Sequence, residues 1–322
     1  MGDGNRGRQK ERMFVEMVDL FLRSVCLVRE QVEKYEKGTL KFSDIELLAD
    51  DKGRSLLFQL KEKCHSIFRA DPEEPSFTMY GLFDLTIGSI FHHAMKLRED
   101  LYQIEYYKPK YQAFADKPML PLHIQHLAKE FNKIIRRAEL DFIEGVEEIV
   151  VLFSDTTAQL KELLVEFSDY PILTRYILEE EDLIKVAFGE SGVEDLCEAM
   201  FAGGLREAYI TAGKSYFDSA HFDFAMTYFG EAVDLDGKDT TLRFLYNLSL
   251  GMDAYYRNDY TRAQEHFGKA LKIFRPFEDS RKYLERIRDI FRVILQESTG
   301  HDKEQEGRIK KSIKRIETIL NA

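Results

Sequence analysis

The chain has 322 residues, of which 44% are hydrophobic and 32% charged, and its formal net charge is −11. This balance is typical of a folded, water-soluble protein that is long enough to form one large core or two ordinary ones. The negative charge argues against a general nucleic-acid binder and against an anionic-membrane binder, because both need a basic surface.

Cysteine usage and the N-terminus bear on the compartment. Three widely spaced cysteines, Cys26, Cys64 and Cys197, form no CxxC motif, which fits a reducing environment. The polar, basic N-terminus lacks the apolar core of a signal peptide. No segment has the roughly 18 consecutive apolar residues of a membrane span. We therefore expect a cytoplasmic protein that does not insert into membranes.

The first half of the chain has the periodicity of long helices. Apolar residues recur at three- and four-residue steps in four runs: Met13 to Tyr35, Leu56 to Phe68, Ile87 to Ile104, and Leu127 to Phe153. Strand-type alternation is essentially missing, so residues 10–170 are predicted to form a bundle of four or more helices. The seven prolines are expected to separate helices, because proline breaks the helical hydrogen-bond pattern: Pro72, Pro75, Pro109, Pro118, Pro121, Pro171 and Pro276. A further helix is predicted from Pro171 to Phe188, with the acidic run Glu179–Asp182 as a solvated face.

Two segments further along the chain match each other when position 206 is aligned with position 244. The aligned pairs are Ala212-Gly213 with Leu250-Gly251, Ala225 with Ala263, Phe229 with Phe267, and Ala232 with Ala270. Small residues at such positions let two helices approach closely where they cross, while the phenylalanines fill the space beside them. The pattern therefore predicts two tandem helix hairpins within residues 206–275.

This pattern resembles the tetratricopeptide repeat family. The matching stretches are "AGKSYFDSAHFDFAMTYFGEA" and "LGMDAYYRNDYTRAQEHFGKA", and the resemblance covers residues 206–275, under a quarter of the chain. The offset between the two copies exceeds the family's period, and the late proline of the family pattern is Gly237 in the first copy. The resemblance implies stacked hairpins that need neighbours to cover their ends. The helix from Arg281 to Leu295 is expected to act as a cap.

We thus expect an all-α protein in three parts. Residues 1–190 are predicted to form the N-terminal helical bundle, and residues 191–300 the repeats with flanking capping helices. Residues 301–322 are predicted to form a C-terminal amphipathic helix. On that helix Ile309, Ile313, Ile316 and Leu320 make a heptad-like seam, which would either fold back on the repeats or pair with another chain or partner.

In the tetratricopeptide family the first helix of each repeat lines a concave binding surface. The resemblance places seven residues on that surface: Ile210, Lys214, Phe217, Leu248, Met252, Tyr255 and Tyr256. Only Lys214 could serve in the family's carboxylate clamp, so binding of a chain terminus by a clamp is not expected. The remaining apolar and aromatic set would suit an amphipathic helix or an apolar peptide anchor. The alternative is that the protein's own N-terminal helices cover these residues, which would make them core.

Histidines raise a metal hypothesis. Glu62 and His65 form a single Glu-x-x-His pair, whereas a two-metal bundle needs two such pairs. A single-metal site built from His92, His123 and His126 stays conceivable if adjacent helices bring them together.

No glycine-rich phosphate loop or nucleophile context is present, and we expect no cofactor and no catalytic residues. We expect a protein-interaction adaptor or scaffold that recruits a protein partner, with self-association through the C-terminal helix as a further option. The alternative is a metal-dependent helical-bundle enzyme or ligand sensor that uses the repeats for docking.

Overall fold

The protein is all-α, as the sequence predicted. In a computed structural model, the structure describes residues 3–70, 77–115, 117, 119–297 and 303–321. Fourteen helices and no strand occur in these residues. The chain divides into two compact units, Met1–Met200 and Phe201–Ala322, so the boundary falls later in the chain than the predicted end of the bundle at position 190.

The first unit contains eight helices. They are α1 (Asp3–Glu36), α2 (Phe42–Leu48), α3 (Leu56–Ala70), α4 (Phe77–Ala115), α5 (Leu122–Glu166), α6 (Pro171–Glu179), α7 (Glu181–Phe188) and α8 (Gly192–Met200). Helix α1 packs against α3, α6 and α7, and α4 packs along α5. Phe14, Phe21 and Phe83 are fully buried at the centre of this bundle.

Helices α4 and α5 form a long hairpin, and Pro109 lies inside α4. The prediction that Pro109 separates two helices was therefore wrong. Contacts with α5 lie on both sides of the proline: Lys108 pairs with Glu139 at 3.0 Å, and the Phe114 and Phe131 rings are 6.2 Å apart. This packing offsets the missing backbone hydrogen bond. Pro72, Pro75 and Pro118 lie outside the described residues.

The helix predicted from Pro171 to Phe188 is interrupted at Glu180, which has φ −101° and ψ 43° and flanks both α6 and α7. The acidic side chains of Glu179, Glu181 and Asp182 are exposed, as expected for a solvated run. Helix α8 packs on α5 and α7 and so belongs to the first unit, not to the repeats.

The second unit contains six helices. They are α9 (Gly204–Asp218), α10 (Phe222–Leu235), α11 (Thr240–Tyr256), α12 (Tyr260–Ile273), α13 (Ser280–Glu297) and α14 (Lys303–Leu320). Helices α9 and α10 form one hairpin and α11 and α12 a second, with α10 packed on α11. Helix α14 packs on α13 and α12, so the C-terminal segment is part of this unit and not a separate one. One continuous core runs from Tyr216 to Ile316.

Candidate interaction surfaces of the second unit

The two hairpins are built on the same glycine–phenylalanine contact. A Cβ atom added to Gly213 would lie 2.7 Å from Cε1 of Phe229, and one added to Gly251 would lie 2.5 Å from the ring of Phe267. Real Cβ atoms do not approach other atoms so closely, so only glycine allows the helices to cross here. The two aligned glycines thus make the same kind of contact with the two aligned phenylalanines.

The turns within the hairpins repeat at the same offset. Ala220 and Asn258 both have φ of 62°. The amide of Ala220 donates to the carbonyl of Phe217 at 3.1 Å, and the amide of Asn258 donates to that of Tyr255 at 2.9 Å. Each turn thus ends its first helix with a left-handed residue that satisfies a free carbonyl.

Most of the predicted partner-binding residues are core residues. Ile210, Phe217, Leu248 and Met252 are 7% exposed or less. Phe217 packs edge-on against Phe222 and Tyr283, with ring centroids 5.1 Å and 5.4 Å apart. The expectation that these four side chains line an open surface is wrong, because α10, α12 and α13 belong to the clusters that bury them. These side chains are core, as the alternative expected, but the helices that cover them belong to the second unit and not to the N-terminal bundle.

Three of the seven predicted residues remain accessible. Lys214 is exposed and Tyr255 is half-buried. Tyr256 is 60% exposed and stacks on Phe222 with ring centroids 5.3 Å apart. Burial and the nearby carboxylate of Glu297 raise the pKa of the Tyr255 phenol.

The C-terminal seam folds back within the second unit. Ile309 and Ile316 are 2% and 0% exposed, and Ile313 and Leu320 pack against the same core. Arg292 of α13 donates to Glu317 of α14 at 2.8 Å. The helix begins at Lys303, and residues 298–302 lie outside the described part. Because the seam is covered, it is not the surface through which a second chain would pair in this structure.

A groove of about 880 Å³ runs between α12 and α14. We call it the α12–α14 groove. Its floor is apolar, formed by the buried side chains of Leu271, Phe291 and Ile309. Gly268 opens its α12 wall, because a Cβ atom there would meet nothing within 4 Å. Its length, about three helical turns on each wall, suits a short helix or an extended peptide.

The walls of the α12–α14 groove are basic. Its lining includes five cations and two carboxylates: Lys269, Lys272, Arg308, Lys311, Arg315, Glu265 and Glu304. The carboxylates pair with Lys269 and Arg308. Lys272, Lys311 and Arg315 are exposed and make no ion pair with any described residue. Sequence reasoning missed this site, although residues 257–322 contain 16 Lys and Arg against 11 Asp and Glu, a net charge of +5 in an acidic chain.

The histidines of the metal hypothesis do not meet. His93, next to His92, has its Nε2 atom 3.2 Å from Glu148. His123 and Glu148 both lie on α5, and the helix between them is about 38 Å long at about 1.5 Å per residue. His92 therefore cannot share a metal ion with His123 and His126. Among the described residues no group of three or more His, Cys, Asp or Glu side chains could hold a metal ion.

No protein-family model matches the chain, and comparisons with curated proteins and with solved structures give no significant match. In the part that the structure describes, none of the helices is both long and apolar enough to cross a membrane.

Proposed function

We propose that this protein is an interaction adaptor whose second unit is a short tetratricopeptide-like array that binds an acidic segment of a partner protein in the α12–α14 groove. The observation that carries the proposal is the groove itself, in which an apolar floor is flanked by three exposed cations without ion-pair partners among the described residues, Lys272, Lys311 and Arg315. The buried thiols of Cys64 and Cys197 suit the reducing cytoplasm.

The glycine–phenylalanine contacts and the matching turns support the tetratricopeptide assignment, because both recur at the same offset as the sequence match. Such arrays present rigid helical walls, and a rigid site loses little conformational entropy when a partner binds. The positions predicted on the concave face are largely buried in the core. We therefore assign the binding site to the end of the array, in the groove between α12 and α14.

Charge complementarity indicates the partner's chemistry. A partner segment with acidic residues along its edges and apolar residues on one face would pair with the basic walls and cover Leu271 and Phe291. Nucleic acid fits less well, because the floor is apolar and the remainder of the chain, residues 1–256, has a net charge of −16 that would repel phosphate.

The test begins with affinity capture on the full chain, followed by purification of each captured partner and mapping of its binding segment. Two variants address the groove: Lys272→Glu/Lys311→Glu/Arg315→Glu reverses its charge, and Gly268→Phe fills it without a charge change. We expect the mapped segment to be acidic and each variant to weaken its binding roughly tenfold or more.

A matched control is Lys238→Glu/Arg243→Glu/Arg281→Glu, which changes the net charge equally at exposed positions of the same unit. We expect the control to bind as the natural chain does. Partners that bind the charge-reversed and filled variants with unchanged affinity would remove the α12–α14 groove from the proposal.

A further inference from the structure

Helix α5 of the first unit exposes an unusual number of large apolar side chains. Leu140 is 62% exposed, Ile143 45%, Val150 42% and Val151 58%. Single exposed apolar residues are ordinary on protein surfaces. Several on one face of one helix are different, because together they cost free energy in water unless another molecule covers them.

These residues share one face of α5. At 100° per residue, Leu140, Ile143, Glu147, Val150, Val151 and Ser154 fall within a sector of about 100°, opposite the face that buries Phe142 and Ile149. We call these six residues the outer face of α5.

The outer face of α5 continues into a groove between α1, α5 and α7. This groove has a volume of about 460 Å³ and is lined by Val25, Val28, Val32, Val150, Phe153 and Ala187, with Ser154 and Thr157 along one edge. Val150 and Ser154 belong to both surfaces. From Leu140 to Thr157 the combined surface extends about 26 Å at about 1.5 Å per residue, which is the length of a helix of roughly five turns.

Carboxylates border this surface. Glu33 and Glu36 of α1 line the groove together with a single cation, Arg29. Glu147 lies within the outer face of α5, Glu144 and Glu148 lie beside it around Val151, and Glu148 is close to His93. Arg136, one turn before Leu140, is exposed at the N-terminal end of the outer face of α5. The whole first unit, residues 1–200, contains 26 Lys and Arg against 38 Asp and Glu, a net charge of −12.

We propose that the outer face of α5 and the adjoining α1–α5–α7 groove form a second docking site, which takes a basic amphipathic helix from a partner protein. An apolar stripe on that helix would cover Leu140, Ile143, Val150 and Val151. Lysine or arginine residues beside the stripe would pair with Glu33, Glu36, Glu144 and Glu147. This site is separate from the α12–α14 groove and carries the opposite charge, so it stands or falls independently of the proposed function.

The test uses the full chain carrying Lys272→Glu/Lys311→Glu/Arg315→Glu, so that the α12–α14 groove does not take up the acidic peptide. Two synthetic helical peptides of roughly five turns have the same leucine stripe, one with lysine and one with glutamate beside it. Binding is measured by fluorescence anisotropy. We expect the lysine peptide to bind roughly tenfold tighter or more, with an affinity that falls as salt is added. Equal affinity for the two peptides would overturn the proposal.

Variants then locate the site. Leu140→Ser/Val151→Ser removes apolar contacts, and Glu144→Lys/Glu147→Lys reverses charge; all four side chains are exposed, so the fold should persist, which circular dichroism checks. We expect each double variant to weaken binding of the lysine peptide roughly tenfold. Leu85→Ser, at a position 74% exposed on α4, and Glu99→Lys serve as controls that leave binding unchanged.

Two other occupants are distinguishable. If the chain forms oligomers that Leu140→Ser/Val151→Ser dissociates, and the lysine peptide does not bind, the face belongs to a second copy and the proposal is wrong. If a fatty acid binds with saturation in the groove and displaces the peptide at equimolar concentration, the occupant is a small apolar ligand, which equally overturns it.

Discussion

Gly213 and Gly251 are the residues on which the hairpin geometry depends most directly. Replacing either with alanine adds a Cβ atom 2.7 Å or less from a phenylalanine ring, so the helices must separate. We expect each substitution to lower the free energy of unfolding by about 1–3 kcal/mol, even though alanine favours helix by about 1 kcal/mol over glycine. Urea unfolding followed by circular dichroism measures this.

Gly268 provides the matched control, because it is also helical but has open space where a Cβ would stand. Gly268→Ala is expected to raise the free energy of unfolding by up to about 1 kcal/mol. Equal effects of alanine at positions 251 and 268 would mean that the contact with Phe267 does not constrain the hairpin. Partial recovery in Gly251→Ala/Phe267→Leu would confirm that it does.

Met252 and Tyr256 are one helical turn apart on α11, but we expect substitutions at the two positions to lower the free energy of unfolding by different amounts. Met252 is fully buried and Tyr256 is 60% exposed. Met252→Ala is expected to cost about 2–5 kcal/mol, whereas Tyr256→Ala loses mainly the stack on Phe222 and should cost about 1 kcal/mol. Chemical unfolding measures the free energy of unfolding of both variants. A similar decrease in the two would contradict the assignment of Met252 to the core.

At the scale of elements, the apolar seam of α14 (Ile309, Ile313, Ile316 and Leu320) packs this helix against the core of the second unit. Ile316 is fully buried, so Ile316→Glu places a charge in the apolar contact with α13 and is expected to cost about 3 kcal/mol or more. Thr318→Glu adds the same charge at an exposed position and should change stability little. Limited proteolysis near residue 303 reports the release of α14, and equal cleavage in both variants would contradict the packing described.

The contact between α1 and α6 predicts a pH dependence. Glu11 of α1 accepts a hydrogen bond from the amide of Ile172 at 2.5 Å, near the N-terminus of α6. Burial raises the pKa of this carboxyl above 4.5, and the hydrogen bonds from Ile172 and Leu173 only partly oppose the shift. The folded protein therefore holds the proton more tightly than the unfolded chain, so the contribution of Glu11 is full below about pH 4.5 and is lost as the pH rises through the folded pKa.

Glu11→Gln removes this titration while keeping an oxygen for the amide of Ile172. We expect the stability of the variant, relative to the natural chain, to increase from pH 4 to pH 8 in urea unfolding series. Glu198→Gln, at an exposed position on α8, serves as the comparison. A difference between Glu11→Gln and the natural chain that does not change with pH would contradict the role of Glu11.

At the scale of the molecule, periodicity predicted the fold class and the long helices, but it was less reliable where tertiary packing decides. It missed α2, a helix of seven residues that is too short to show a period. It also predicted a helix boundary at Pro109, whereas α4 continues past this residue because it packs on α5. The resemblance to tetratricopeptide repeats placed Phe217 and Met252 on an open face, because an apolar stripe looks the same in a sequence whether solvent, a partner or another helix covers it. The α12–α14 groove arises from where α14 folds back, which no local pattern records.

The two units differ in net charge, which is −12 for residues 1–200 and +1 for residues 201–322. This difference bears on what the whole chain can bind. If the α12–α14 groove takes an acidic segment and the outer face of α5 takes a basic helix, one chain should bind both at once. We expect the glutamate and lysine peptides to bind together, with the affinity for each changed less than about threefold by saturation with the other.

The variants separate the two events. Charge reversal at Lys272, Lys311 and Arg315 should weaken binding of an acidic peptide roughly tenfold or more and leave the lysine peptide bound. Leu140→Ser/Val151→Ser should weaken binding of the lysine peptide roughly tenfold and leave the acidic peptide bound. Because both interactions have a large electrostatic part, salt should weaken both. Competition between the peptides for the same chain, or loss of both through either variant, would show that a single surface binds them and that the chain does not act as a two-site adaptor.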